Sequence, residues 1–326
     1  MLVNEIKQNI KPNIAIIILN YNSSDDTIKC LSSLRTNCYP SWQAIIVDNA
    51  SSNDSVHKII TWCEQERWLV YLNPSNSVPI SSESIVFLTS DKNLGYAGGN
   101  NIGIKYALKL GFDLIFVLNN DTIVARDCLN ILVDFIERTS DVGFVGPVIC
   151  EMDQPDIIQS AGAKIDWFKA KFPLIDHGHS ILSFDDYPRQ VDAISGAAML
   201  VKSKVLKTIG LLDDIYFLYV EEIDWCWRAK KMGFSSWVVP QAKVWHKTGA
   251  SSVSLDDGIL QYYRTRNRLI FMRKHASLCQ WLIFFPYLLR HTASQSLKYL
   301  LSKRPKHAWL FCRAIIDGIK IKLKNT

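Results

Sequence analysis

Four short apolar runs narrow what this chain can fold into. They cover residues 14–19, 44–47, 85–88 and 114–118, and each is followed by a stretch of helical character, at 27–34, 56–67, up to about 110, and 127–138. Runs this short read as buried strands. Strands alternating with helices predict βαβ units around a largely parallel sheet. Three of the runs stop at polar side chains: Asn20, Asp48, and the triplet Asn119-Asn120-Asp121. In open α/β sheets, ligands bind just outside the carboxyl ends of the strands. Asn and Asp also make ordinary turns there, because they hydrogen-bond their own backbone.

Further along, residues 150–190 are irregular and rich in Asp, Pro and Gly, which predicts an insertion over the sheet rather than a separate domain. Residues 198–201 and 237–239 read as strands, 221–232 as a helix, and 247–252 as a loop. Beyond Asp257 the pattern is helical. The expected division is therefore an α/β domain over 1–257 and a basic amphipathic helical extension over 258–326. A hydrophobic content of 48% with 21% charged residues fits a globular chain. The start has no continuous apolar run of the kind a signal peptide needs. The apolar stretch at 278–289 is twelve residues long and contains Gln280 and Pro286, too short to span a bilayer. The eight cysteines form no C-x-x-C pair. That pattern predicts reduced thiols in a cytosolic setting, with no disulfide framework and no zinc site.

The net charge of +6 is unevenly spread: from Arg264 onward there are 14 basic residues and one acid, so a tail of +13 follows a body of −7. Interleaved with that charge are Trp281, Phe284, Phe285, Tyr287 and Trp309. Basic charge with aromatics suits an anionic membrane surface or nucleic acid. No nucleic-acid-binding module is present, so the expectation is a membrane surface and no nucleic acid. Trp281, Phe284 and Phe285 are the aromatics expected to enter the interface.

Several residues could carry chemistry. Asp48, ending the second strand, could accept a hydrogen bond from a ribose or base, or could simply precede a helix cap. No G-x-G-x-x-G follows the first strand, which argues against a dinucleotide dehydrogenase. Glycines at 95, 98, 99 and 103 allow close backbone approach, although Gly-rich loops are commonly plain turns. Glu221, Glu222 and Asp224 form an acidic cluster at a predicted helix start. That is a common solvated arrangement, but here it runs into Trp225 and Trp227. A carboxylate in such an apolar setting can have a raised pKa and act as a base. Asp121 and His246 are too few for a closed metal site, but they suit a divalent ion that completes its shell with diphosphate oxygens and water.

Taken together these segments resemble family 2 glycosyltransferases. The matching pieces are Asn20-Tyr21-Asn22, Val47-Asp48-Asn49, the stretch from Asn93 through Gly95 and Asn101 to Gly103, Asn119-Asn120-Asp121, Ser195-Gly196-Ala197, Glu221-Glu222-Ile223-Asp224, and Trp245-His246. They span roughly 14–270 and are most similar to the rhamnosyltransferase-like branch that builds bacterial surface polysaccharides. The resemblance implies a GT-A fold: an α/β, mostly parallel Rossmann-like sheet with helices on both faces. It also implies an inverting, metal-dependent transferase using Mg²⁺ or Mn²⁺. The donor would be a nucleotide-diphosphate sugar, dTDP-rhamnose or a UDP-hexose. The acceptor would be a hydroxyl of a cell-surface glycan or lipid-linked molecule, at the cytoplasmic face of the membrane.

The resemblance also assigns roles. Asn20, Asn22, Asp48, Asn93, Gly95, Asn101, Asn120 and Arg266 would bind the donor. Asp121 and His246 would hold the metal, and Glu222 would be the base. Ser195, Gly196, Ala197, Glu221 and Asp224 would lie on the acceptor side. Two positions depart from the family pattern: Asn119 replaces the first acid of Asp-x-Asp, and Glu222 replaces an Asp. The stretch Gln261-Tyr262-Tyr263-Arg264-Thr265 resembles a processive-synthase motif but lacks its Trp, which favours a non-processive enzyme. The alternative is a catalytically silent nucleotide- or glycan-binding protein of the same fold.

Overall fold

The computed structural model describes residues 11–76, 78–247 and 256–323. The expected loop at 247–252 therefore lies, from residue 248, outside the described residues, as does most of the N-terminal segment. The first half follows the predicted alternation: β1 (Ile14–Asn20), α1 (Ser24–Arg35), β2 (Trp42–Asp48), α2 (Ser55–Gln65), β3 (Leu69–Leu72), β4 (Ser84–Thr89), α3 (Gly95–Leu110), β5 (Leu114–Asn119), β6 (Thr122–Val124) and α4 (Cys128–Arg138). Then come β7 (Val142–Glu151), β8 (Ile158–Ser160), β9 (Arg189–Val191), β10 (Ala198–Lys202), α5 (Ser203–Ile209), α6 (Glu221–Lys231) and β11 (Ser235–His246). The chain ends in α7 (Asp257–His275), α8 (Leu278–Leu301) and α9 (Pro305–Lys320).

The sheet order is β3-β4-β2-β1-β5-β10-β7-β11-β6, with β8 on β7 and β9 on β11. Strands β3, β4, β2, β1 and β5 run parallel, whereas β10 lies antiparallel between β5 and β7. The apolar runs are covered on both faces. In β1, Ala15 and Ile17 join one core cluster while Ile14, Ile16 and Ile18 join the other. This is why the runs are continuous rather than alternating. The 150–190 segment is largely irregular, with β8, a short 3₁₀ turn at Ile181–Ser183, and β9 as its regular pieces.

Two elements depart from the sequence reading. The edge strand β3, Leu69-Val70-Tyr71-Leu72, is absent from the sequence reading; it is an apolar run but lies at the sheet edge with Leu69 and Leu72 exposed. Strand β7 contains Gly143, Gly146 and Pro147, residues that weaken a strand pattern. Its pairing with β11 shifts register between Val239 and Lys243, beside Pro147.

Helix α7 is not a free tail. Ile270 and Phe271 belong to the main core cluster. Phe284 and Leu288 of α8 pack on Leu269 and Met272 of α7 and on Ala170 of the insertion. This corrects the expectation for the tail aromatics: Phe284 is buried, and Trp281 is half-buried with its ring N–H donating to the Met272 carbonyl at 3.2 Å. The outward face of α8 instead carries Leu278, Leu282, Phe285 and Leu289, spaced as one helical stripe. Among the described residues, no helix is long and apolar enough to cross a membrane.

Candidate active site

The polar ends of β1, β2 and β5 meet in one hydrogen-bonded group. Asp48 is almost fully buried and accepts from the Asn20 amide at 2.7 Å, the Ser51 hydroxyl at 2.6 Å and the Ser51 N–H at 2.9 Å. Thr27 on α1 donates to Asn20 Oδ1 at 2.9 Å and accepts from the Asn120 amide at the same distance. Asn22 has a positive φ of 55° and accepts the Ser52 N–H at 2.8 Å through its side chain. An open cleft of about 360 Å³ borders this group, with Asn22, Ser23, Asp26, Asn53 and Lys247 in its walls.

The entry to α3 is stitched by Asn49, which the sequence reading did not single out. Its side chain accepts the Leu94 N–H at 2.9 Å and donates to Asn93 Oδ1 at 3.0 Å. Asn93 in turn accepts the Gly95 N–H at 2.8 Å. Gly95 needs to be glycine on two counts. Its φ is +69°, and a Cβ there would fall 2.3 Å from the Phe217 carbonyl oxygen.

Asp121 and His246, distant in sequence, come together because β6 pairs antiparallel with the end of β11, with Thr122 opposite His246. Asp121 Oδ1 lies 3.1 Å from His246 Nε2, yet it is buried and makes no hydrogen bond. The reason lies on the other side of the ring. Gln159 on β8 donates through its amide to Glu151 at 3.1 Å, which turns Gln159 Oε1 toward His246 Nδ1 at 2.7 Å. That assigns the ring proton to Nδ1, so Nε2 accepts from the Asn119 amide at 3.3 Å while also lying beside Asp121 Oδ1. The Nε2 lone pair is shared with the Asn119 amide, whereas buried Asp121 Oδ1 has no donor among the described residues, which leaves a place for a cation beside it. The donor set, one carboxylate and one imidazole at an open edge, fits a divalent ion that shares its shell with a ligand. Among the described residues no group of three or more His, Cys, Asp or Glu forms a closed metal site.

The acidic cluster opens α6. Glu222 is partly exposed, and burial pushes its pKa up to about 7, although backbone N–H groups at the helix start partly offset the rise. Glu221 is buried with Oε2 unpartnered, and burial together with Glu222 holds its carboxyl well above the usual range. Tyr96 on α3 sits with them. Its hydroxyl donates to the Gly196 carbonyl at 2.5 Å, and burial, Glu221, Glu222 and Asp121 all oppose its ionisation. A Cβ on Gly196 would lie 3.2 Å from that hydroxyl and 3.8 Å from Glu222 Cβ. The Ser195-Gly196-Ala197 turn also meets the end of β5 next to Asp121, since Ala197 O accepts the Asn119 N–H at 2.9 Å. Tyr96 therefore links the base candidate, the turn and the Asp121 edge, a role no sequence pattern announced.

Three expected site residues point elsewhere. Asp224 is fully buried and faces inward, binding Arg228 at 2.7 Å, Lys274 at 2.6 Å, His275 at 2.8 Å and the Tyr216 hydroxyl at 3.0 Å. Its carboxylate has no oxygen left for an acceptor, and its role is to tie α6 to α7. Asn101 exchanges two hydrogen bonds with the Leu212 backbone, at 2.7 and 3.2 Å, so it fastens α3 to the 210–220 segment rather than reaching a donor. Arg266 holds the carbonyls of Ile215 and Tyr216 at 2.7 and 2.8 Å and is likewise engaged inside the fold.

A family model described as "Glycosyl transferase family 2" matches residues 15–203, more than half of the chain. The chain belongs to glycosyl transferase family 2. It is an enzyme of the glycosyltransferase class. It is 24% identical over 267 residues to the low-salt glycan biosynthesis hexosyltransferase Agl10 of Haloferax volcanii, covering 82% of this chain and 77% of that one. It is also 24% identical over 275 residues to the dTDP-rhamnosyl transferase RfbF of Shigella flexneri, covering 81% of each. In fold it is similar to the mannosyltransferase PcManGT of Pyrobaculum calidifontis, solved with GDP-Man and Mn²⁺. The TM-score there is 0.59 at 13% identity, over 97% of this chain and 89% of that one. This glycosyltransferase thus has the GT-A architecture, with a helical C-terminal region added.

Proposed function

We propose that this glycosyltransferase moves one sugar per encounter, with inversion, from a nucleotide-diphosphate sugar to a hydroxyl of a cell-surface glycan or lipid-linked acceptor. The observation that carries the reading is Glu222, a partly exposed carboxylate beside Gly196, in the turn whose Ala197 carbonyl accepts the Asn119 N–H two residues from Asp121; burial pushes the Glu222 pKa up to about 7. A base titrating near the working pH is suited to proton transfer. Glu222 takes the proton of the acceptor hydroxyl as its oxygen bonds to the anomeric carbon. The bond from that carbon to the diphosphate oxygen breaks, and the nucleoside diphosphate leaves with the electron pair. Asp121 and His246 would hold Mg²⁺ or Mn²⁺, which supplies charge neutralisation at the diphosphate when bound. The Asn20–Asp48–Ser51 group would hold the ribose and base. The donor would be dTDP-rhamnose or a UDP-hexose; the name of RfbF supports the first and that of Agl10 supports a hexose without fixing its nucleotide.

The exposed apolar stripe of α8 together with the exposed Arg290, Lys298, Lys303 and Arg304 supports peripheral attachment to an anionic membrane surface, where a lipid-linked acceptor resides.

The test is nucleoside diphosphate release from a panel of sugar nucleotides, with Mg²⁺ or Mn²⁺ and acceptor. Glu222→Gln should keep donor affinity and lower kcat by about 10² or more. Because the carboxylate is the active form, wild-type kcat/KM should fall about tenfold per pH unit below pH 7 and level off above it. Near-wild-type turnover by Glu222→Gln would place the base elsewhere. The absence of release with any donor would point to a silent binding protein.

A further inference from the structure

The loop that leads into the base has a shape its own residues do not favour. Phe217, Tyr219 and Val220 all have positive φ, at 64°, 68° and 78°, and none is Gly or Asn. Val220 is β-branched, for which this conformation is a true outlier. It also occupies the position before α6, where Ser, Thr, Asp or Asn would normally cap the helix, and it makes no side-chain cap. The shape is imposed from outside, by α7. Asn267 is fully buried, and its amide nitrogen lies 2.9, 2.7 and 2.8 Å from the carbonyl oxygens of Tyr216, Leu218 and Tyr219. Two amide hydrogens are shared among three acceptors. Its neighbour Arg266 donates to Ile215 and Tyr216, and Tyr263 stacks on Phe217 with ring centres 5.1 Å apart. On the far side, the Phe217 carbonyl accepts the Tyr96 N–H at 2.7 Å against Gly95.

We propose that Asn267, assisted by Arg266, is a positioning residue for the transfer reaction: it clamps the 216–219 carbonyls so that α6 begins with Glu222 turned toward Gly196. This rests on the reading of Glu222 as the base. Asn267 is fully buried, so it acts through the loop it holds. A purely structural role would lower stability when Asn267 is removed but would leave the chemistry of the folded fraction intact. A positioning role changes the chemistry itself, since a displacement of about 1 Å can cost on the order of 10²-fold in rate. The titratable groups facing Glu222 are Glu221 and Cys226 on its own helix and Tyr96 from α3. The clamp itself contributes only neutral Asn267 and the permanently charged Arg266.

The experiment measures kcat, donor KM and the pH profile of full-length Asn267→Ala, at a temperature where circular dichroism shows it folded, beside Glu222→Gln. The expected result is a kcat lowered tenfold or more with donor KM within about twofold. The acid limb of kcat/KM should also move from about pH 7 toward the ordinary glutamate range, as water reaches the released carboxylate. Arg266→Met loosens the same loop from a half-buried position without opening a buried void. It should move both readouts in the same direction, and it decides the matter if Asn267→Ala does not fold. Wild-type kcat and acid limb in the folded variant, with Glu222→Gln inactive, would overturn the clamp. Full activity of Glu222→Gln would instead overturn the base assignment on which it rests.

Discussion

Asp224→Ala is the sharpest test of how the C-terminal helices are joined to the catalytic domain. Asp224 is fully buried, with Arg228, Lys274, His275 and Tyr216 all within 3.0 Å. Removing one member of a buried ion pair costs about 3–5 kcal/mol, because the partner charge stays buried. Two partners keep other contacts here. Lys274 retains Asp213 at 2.9 Å, and Arg228 retains the carbonyls of Ile209 and Leu211. That places the expectation at the lower end, about 3 kcal/mol. An unfolding entropy of about 2.1 cal/mol/K per residue converts this into a fall in Tm of roughly 4 °C for a chain of this length. The assay is thermal and urea unfolding followed by circular dichroism. Asp134→Ala serves as the control, since its pair with Arg138 is exposed and 3.8 Å long; it should cost under about 0.5 kcal/mol.

The effect of pH follows from the same contacts. Burial alone would raise the Asp224 pKa, but His275, Arg228 and Lys274 outweigh it and hold the carboxyl well below its usual range. A depressed folded-state pKa gives stability that is complete above about pH 4 and is lost as pH falls further. The wild-type advantage over Asp224→Ala should therefore hold from neutral pH down to about 4 and shrink below it. A loss no larger than that of Asp134→Ala would refute the view that this ion cluster ties α6 to α7.

Gly95→Ala should lower activity tenfold or more, because its Cβ collides with the Phe217 carbonyl. Gly111→Ala, at φ +81° with open space around it, should lose stability from backbone strain alone, about 1–2 kcal/mol, and keep its kcat. Gln159→Leu removes the acceptor that orients His246 and should weaken Mn²⁺ binding in the presence of donor about 10–100-fold by titration; unchanged affinity would show that the ring needs no such partner. In flotation with anionic vesicles at low salt, the wild-type chain should bind. A variant with Leu282, Phe285 and Leu289 all changed to Ser should bind less, and equal binding would mean the α8 stripe is not the contact.

The strand–helix alternation and the polar strand ends were legible in the sequence because they are local. A buried parallel strand must be an apolar run, and it must end where polar side chains meet solvent or ligand. Asn20, Asp48 and Asp121 stood out for that reason. Strand β7 did not, because Gly143, Gly146 and Pro147 interrupt its pattern, and its neighbours β10, β11 and β8 hold it extended. The Asp121–His246 edge shows the same limit. Both residues were visible, but their approach depends on β6 pairing with β11, and the direction of the imidazole depends on Gln159 in an irregular stretch. Glu222 and Asp224 were equivalent as letters at one helix start. Successive positions on a helix turn by about 100°, so Glu222 stays partly exposed while Asp224 faces the interior. Which is which was decided by α7, whose Lys274 and His275 claim Asp224 and whose Asn267 sets the loop before the helix. Side-chain type is written in the chain, but direction and partner come from elements distant in sequence, and only the packed structure brings those together.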